Sequence, residues 1–254
     1  MNTKLLLLLI SIPGVLSLLP KLNTTYATII VQSPERIISH NSFLIIALLQ
    51  SSLLIIISIL LGSWATKKIN WQDNALNAMA ANDLQGLQHA IKTQIIPSLL
   101  YSIPASLCFV ATLYAVLFPL LDHNLVVQMN DFSTSSLIMR IFYGGIVEEI
   151  LLRWSMLSIL VLLGLTLFKQ RVQLAWWTAI VISSLLFGCG HLPMYFATTA
   201  NPTITTIFLI IGANSYAGVF FGSIFKKFGL ISAMIAHMLF HITWFALYSI
   251  NCFW

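Results

Sequence analysis

Long apolar segments, separated by short polar loops, most strongly constrain how this chain can fold. About 20 apolar residues in a helix cross a hydrocarbon core of about 30 Å, and a helix satisfies its own backbone hydrogen bonds in lipid. Only 7% of the 254 residues are charged, whereas about 25% is typical of soluble domains. We therefore predict an all-α, polytopic transmembrane bundle of about seven spans.

The apolar segments place these spans along the whole chain. They cover residues 5–19, 43–64, 95–121, 135–168, 174–189 and 203–225, and the last begins near Leu230. Residues 67–92 are polar enough to form a loop with an interfacial helix, and residues 122–133 are predicted to form a turn. The first segment is similar to a signal peptide, but no cleavage motif precedes Pro20, which favours a retained span.

Lysine and arginine residues indicate the orientation, because cytoplasmic loops carry the excess of them. Two, Lys21 and Arg36, lie on one side, and eight lie on the other: Lys4, Lys67, Lys68, Lys92, Lys169, Arg171, Lys226 and Lys227. The amino terminus is therefore expected in the cytoplasm and the carboxyl terminus outside. The net charge of +5 reflects this orientation, and nothing supports nucleic-acid binding. We expect a multi-pass protein of the bacterial inner (cytoplasmic) membrane.

Two adjacent carboxylates lie inside the long fourth span. Glu148 and Glu149 are the only two of the seven acidic residues that fall within a predicted span. An ionised group at the bilayer centre costs roughly 3 kcal/mol, so such groups usually face a bundle interior and carry function. Because Arg153 follows Glu149 by four residues, an ion pair on one helical face is predicted. Glu148 is left as a spare carboxylate, suited to general acid or base chemistry.

Three histidines also fall within or at the end of predicted spans. His191, taken alone, is typical of an interfacial histidine that caps a helix beside Pro193. His237 and His241 share one helical face, which predicts interhelical hydrogen bonds, metal ligation or oxyanion stabilisation. Position 238 is Met, so the zinc-protease motif H-E-x-x-H is not matched. Together with the acidic pair and its arginine, these histidines can build a hydrolytic site.

A pair of glycines in the sixth predicted span indicates close packing of helices. Gly218 and Gly222 are four residues apart and therefore share one face. Small residues at that spacing let two helix backbones approach each other. We expect packing here rather than chemistry.

Three motifs, taken in order, resemble those of the CPBP family of intramembrane proteases. They are Glu148-Glu149-x-x-x-Arg153, Phe187-x-x-x-His191 and the later intramembrane His237. This family of CAAX proteases and bacteriocin-processing (Abi) proteins includes the Rce1-type prenyl-protein endopeptidases. The resemblance divides the chain into N-terminal transmembrane helices with their loops, residues 1–134, and a CPBP-like protease core, residues 135–254.

The resemblance implies hydrolysis of a peptide bond inside the membrane. Its implied catalytic residues are Glu148, His191, His237 and His241, supported by Glu149 and Arg153. The first two would activate a water molecule, and the two later histidines would stabilise the oxyanion. The Rce1-type branch usually has Asn at position 241, and an imidazole can donate a hydrogen bond as an amide does. The expected partners are the lipid bilayer and a membrane-associated or lipidated peptide or protein.

Two mechanisms remain open within this resemblance, a glutamate type and a metalloprotease type. A zinc site needs three protein ligands and an open position, which His191, His237 and His241 with Glu148 could supply. In the metal-free version, Glu148 deprotonates the water directly. We favour the metal-free version, so no cofactor is assigned and zinc is the alternative.

Two further functions compete with proteolysis. A non-catalytic immunity or scaffold protein could keep the same side chains as a structural polar network. A proton-coupled transporter could use them as a relay, since intramembrane Glu and His also carry protons. Transporters often contain an internal repeat, and this sequence shows none.

Overall fold

The structure, a computed structural model, describes residues 1–32, 38–121, 123–131, 133–199 and 202–250. These ranges contain helices and connecting turns but no strand. The α-helices are α1 (Thr3–Leu16), α2 (Leu19–Gln32), α3 (His40–Lys68), α4 (Asn74–Ala81), α5 (Leu84–Ala90), α6 (Ile96–Thr112), α7 (His123–Met129), α8 (Thr134–Met139), α9 (Ser158–Leu167), α10 (Val172–Gly190), α11 (Leu192–Thr198), α12 (Ile204–Phe228) and α13 (Leu230–Ser249). The predicted all-α class is confirmed.

Six helices in the described ranges are long and apolar enough to cross a membrane. They are His40–Lys68, Leu84–Leu120, Ser135–Leu167, Val172–Ala197, Ile204–Phe228 and Leu230–Ser249. The pair Thr3–Leu16 and Leu19–Val31, bent by 44°, makes a seventh if it forms one span. The prediction of about seven spans in a polytopic bundle is therefore confirmed.

Two local expectations were wrong. The helix that contains the third span begins at Leu84 rather than near residue 95, because α5 continues through a π-helical stretch, Ile91–Ile95, into α6. The region predicted to form a turn, residues 122–133, contains the short helix α7. Both errors come from polar side chains that lie within helices, where composition alone favours a loop.

The long helix from Ser135 to Leu167 carries the acidic pair through the centre of the bundle. Between α8 and α9 its backbone is π-helical over Arg140–Glu148 and Ile150–Leu157. Such stretches, with hydrogen bonds five residues apart, occur frequently at functional sites. The helix from Ser135 to Leu167 packs closely on α1. A Cβ added to Gly14 of α1 would lie only 2.9 Å from the Phe142 carbonyl oxygen.

Close packing of α10 and α12 supports the long helix from the other side. A Cβ added to Gly218 would lie 2.9 Å from Cβ of Ser184, and one added to Gly222 would lie 3.2 Å from Ile180 Cγ2. Gly218 therefore leaves no space for a Cβ unless the helices shift, and Gly222 leaves little, in line with the close packing that the sequence predicted. This packing also fixes the position of the Gly218 carbonyl oxygen, which accepts a hydrogen bond from Arg153.

The bundle is apolar inside and outside, apart from a few polar groups at its centre. Leu7, Ile180 and Phe225 are fully buried in the core, whereas apolar residues such as Leu49 and Leu100 are exposed on the outer surface. Exposed apolar side chains at this density suit contact with lipid tails. The chain is an integral membrane protein, and its buried polar side chains therefore merit individual explanation.

Candidate active site

A buried ion pair lies at the centre of the bundle. Arg153 Nη1 is 2.9 Å from Glu149 Oε1, and both side chains are almost completely buried. The guanidinium also donates to the Gly218 carbonyl oxygen at 3.2 Å. It lies over the rings of Phe187 and Phe221, 5.1 and 5.3 Å from their centroids. The ion pair predicted from the four-residue spacing is therefore present.

Glu149 also fixes the orientation of His237. His237 Nδ1 lies 2.8 Å from the same oxygen, Glu149 Oε1, and the imidazole stacks on Phe221 with centroids 4.4 Å apart. An ionised carboxylate only accepts hydrogen bonds, so Nδ1 carries the proton and Nε2 of the neutral ring is an acceptor. Sequence reasoning missed this contact, because nothing in the spacing relates residues 149 and 237.

Gly144 forms the floor beneath two imidazole rings. A Cβ at this position would lie 3.6 Å from His237 Nε2 and 3.2 Å from His241 Nε2. The two rings stack with centroids 5.1 Å apart. Because Gly144 has no side chain, it leaves a space that both Nε2 atoms face. In the sequence, the Gly144-Gly145 pair suggested only a point where the long helix could break, and nothing in it indicated a contact with the histidines.

His191 joins the group through Phe187. It lies at the junction of α10 and α11, and its Nδ1 is 2.9 Å from the Phe187 carbonyl oxygen. A carbonyl only accepts, so Nδ1 is the donor and Nε2 of the neutral ring keeps its lone pair. The Phe187 ring lies 4.8 Å from the His191 ring and 6.1 Å from the His237 ring. The Phe187 ring therefore packs near both histidine rings.

Glu148 differs from its neighbour in the sequence. Its side chain is half-buried, and it makes no hydrogen bond or ion pair with any other residue that the structure describes. Its electrostatic neighbours include Tyr143 and Arg153. Glu148 is thus the spare carboxylate that the spacing predicted, although no hydrogen bond in the described ranges joins it to His191.

Besides Arg153 Nη1, which faces Glu149 Oε1 in the ion pair, two buried polar atoms of this group lack hydrogen-bond partners among the described residues. They are Glu149 Oε2 and His241 Nδ1. Buried polar groups in native structures are usually paired, so an unpaired one needs an explanation. Both atoms lie in the same group of side chains, which therefore retains the capacity to hydrogen-bond a further polar molecule.

A three-ligand metal site does not fit this arrangement. Two imidazole nitrogens, on His237 and His241, face the same space, but zinc requires three protein ligands. In the described part of the chain, no three His, Cys, Asp or Glu side chains lie close enough together to hold a metal ion. The zinc alternative, with His191 and Glu148 as additional ligands, is therefore not supported by the geometry.

The fold and these side chains define a polytopic membrane protein with a cluster of ionisable side chains at its centre. Residues 130–243 match the Rce1-like family model, described as type II CAAX prenyl endopeptidase Rce1-like. This segment, less than half of the chain, contains all six predicted site residues, and the match supports the predicted resemblance to the CPBP/Rce1-like family. The match supports a CAAX-type intramembrane protease in general class. No curated protein and no solved structure matches the chain significantly.

Proposed function

We propose that the chain is an endopeptidase that cleaves a membrane-associated or lipidated peptide or protein, with Glu148 as the general base. One observation carries this proposal. Glu149 Oε1 is engaged by both Arg153 and His237, at 2.9 and 2.8 Å, whereas Glu148 has no such partner among the described residues. Two neighbouring carboxylates thus have different environments, and only Glu148 can accept a proton without breaking an ion pair.

His191 is proposed to orient the attacking water together with Glu148. Its Nδ1 proton is committed to the Phe187 carbonyl oxygen at 2.9 Å. The remaining nitrogen, Nε2, can accept a hydrogen bond from water, which directs a water lone pair towards the substrate carbonyl. This assignment supports the role expected for His191 as a partner of the base.

His237 and His241 are proposed to bind the oxyanion. Nε2 of His237 is an acceptor while the ring is neutral, so it can donate to an oxyanion only as an imidazolium. Glu149 Oε1 lies 2.8 Å from Nδ1 of the same ring, so an imidazolium there would have a carboxylate as its counter-ion. His241 supplies a second Nε2 at the same floor glycine, Gly144.

The proposed reaction balances with water as the only co-reactant. The water oxygen attacks the carbonyl carbon, Glu148 takes one water proton, and the carbonyl electron pair moves to oxygen. Glu148 then returns the proton to the amide nitrogen as the carbon–nitrogen bond breaks, which leaves a carboxylic acid and an amine. A positioned general base typically contributes about 10²–10⁴-fold, and one oxyanion donor about 10²–10³-fold.

Glu148→Gln tests this proposal against a scaffold role. The probes are a farnesylated peptide ending in a Cys-aliphatic-aliphatic-X sequence and the same peptide without the lipid, with products identified by mass spectrometry. We expect the wild type to release a C-terminal fragment and the variant to lose at least about 100-fold in rate, with unchanged thermal unfolding. Asp83→Asn, the same change at an exposed carboxylate, is the matched control and should remain active.

Two results would overturn the proposal. A folded wild type that cleaves neither peptide would argue against peptidase activity. A Glu148→Gln variant within tenfold of the wild-type rate would remove Glu148 as the base. Preferential cleavage of the farnesylated peptide would identify the lipid as part of the substrate.

A further inference from the structure

One buried carboxylate, outside the segment matched by the family model, caps two helices. Asp73 is 2% exposed, and its Oδ1 accepts the Leu76 N–H at 2.9 Å, which caps α4. Its Oδ2 accepts the N–H groups of Leu230 at 2.5 Å and Ile231 at 3.4 Å. These two N–H groups begin α13, so Asp73 holds together helix ends that are far apart in the sequence.

Gly229 makes this close approach feasible. It has a positive φ of 98°, which L side chains rarely adopt. A Cβ here would also lie 2.6 Å from Asp73 Oδ2. The glycine is thus required by backbone conformation and by space, and both requirements serve the contact between Asp73 and the start of α13.

The helix that Asp73 anchors carries two of the proposed active-site residues. His237 and His241 follow Leu230 on α13, about 10 and 16 Å along the axis at 1.5 Å per residue. A helix begins with four N–H groups that lack intrahelical partners, and Asp73 satisfies two of them. The anchor therefore constrains both the depth and the rotation of α13.

We propose that Asp73 is a positioning residue for the peptidase site, because it sets the register of α13 and thereby the contact of His237 with Glu149. This inference rests on the proposed function. The contact it protects is a 2.8 Å hydrogen bond, and a misplacement of about 1 Å can cost about 100-fold in rate. The N-terminal part of the chain would then supply an element of the active site.

Asp73→Ser separates anchoring from ordinary helix capping. Serine is a good N-cap, so α4 keeps its cap, but one short hydroxyl cannot also reach the N–H groups of α13. Asp73→Asn keeps the length of the side chain but only one acceptor oxygen, so its amide nitrogen must face the N–H groups of one of the two helices. Asp83→Ser is the matched control, because Asp83 caps only α5, through the Gly86 N–H at 2.9 Å.

Kinetics on the peptide probes give the first readout. We expect Asp73→Ser to lower kcat about 10–100-fold with KM within about threefold of wild type, since peptide contacts are not removed. Asp73→Asn should fall between Asp73→Ser and wild type, because its single amide oxygen can accept from only one of the two helices, and Asp83→Ser should behave as wild type. Equal kcat in Asp73→Ser and wild type would overturn the inference.

Chemical labelling of His237 gives a readout that does not require activity. Diethylpyrocarbonate should modify His237 slowly in the wild type, where the residue is 4% exposed, and several-fold faster in Asp73→Ser. The exposed His40 serves as the internal reference. Unchanged His237 labelling would count against the anchor even if no peptide were cleaved, which separates this inference from the proposed function. If Asp73→Ser does not fold, Gly229→Ala displaces the same carboxylate and takes its place.

Discussion

Removing the Glu149 carboxylate tests the buried network most directly. In Glu149→Ala, Arg153 stays 2% exposed but loses its anionic partner, and His237 Nδ1 loses its acceptor. Breaking a buried ion pair in this way typically costs about 3–5 kcal/mol. The Gly218 carbonyl and the rings of Phe187 and Phe221 remain as partners of the guanidinium, which favours the lower half of that range.

Thermal unfolding in detergent measures this cost. For a chain of this size about 1 kcal/mol corresponds to roughly 2–4 °C, so a loss of about 3–4 kcal/mol predicts a Tm lower by about 6–16 °C. Glu148→Ala is the matched control on the adjacent residue. It removes a half-buried carboxylate without a hydrogen bond among the described residues, and we expect a shift of less than about 2 °C.

A double-mutant cycle shows whether the cost arises from the pair. Glu149→Ala with Arg153→Met removes both charges and leaves no unpaired buried ion. We expect this double variant to be more stable than Glu149→Ala alone, because coupling between contacting residues reaches about 0.5–3 kcal/mol. Additive effects of the two changes, or an unchanged Tm in Glu149→Ala, would refute the pairing argument.

Three further predictions concern Gly144, metal dependence and Asp73. Gly144→Ala should lower kcat with little loss of Tm, because its Cβ would lie 3.2 Å from His241 Nε2. Gly212→Ala is the control and should be neutral, because a Cβ there has no atom within 4 Å; equal kinetics in the two variants would contradict the prediction. Dialysis against a chelator should leave the peptidase rate unchanged, because no three His, Cys, Asp or Glu side chains in the described part of the chain lie close enough together to hold a metal ion; a loss restored by zinc would overturn it. Burial raises the pKa of Asp73 above its usual 3.8, so its stabilisation is fully present below pH 3.8 and is lost as pH rises through the raised pKa. Asp73→Asn, which cannot ionise, should flatten this fall in Tm between pH 4 and 8, and an unchanged slope would contradict it.

The long π-helical stretches show which features the spacing of residues along one helix predicts and which it does not. The four-residue spacing correctly predicted the contact of Glu149 with Arg153, even though the backbone there has hydrogen bonds five residues apart. Long side chains span the difference between the two geometries. The backbone form itself has no signature in the composition, because the same apolar residues suit an α-helix and a π-helix.

The sequence by itself determined the membrane class, most of the spans and the pairing of Glu149 with Arg153. These features depend on segment length, hydropathy and side-chain spacing within one helix, all of which are local. Tertiary structure decided that His237 contacts Glu149, that Gly144 lies under two imidazoles, and that Asp73 caps α13. Each of these contacts joins separate helices, and it depends on how those helices rotate and pack against one another. Spacing along the chain carries no information about that packing.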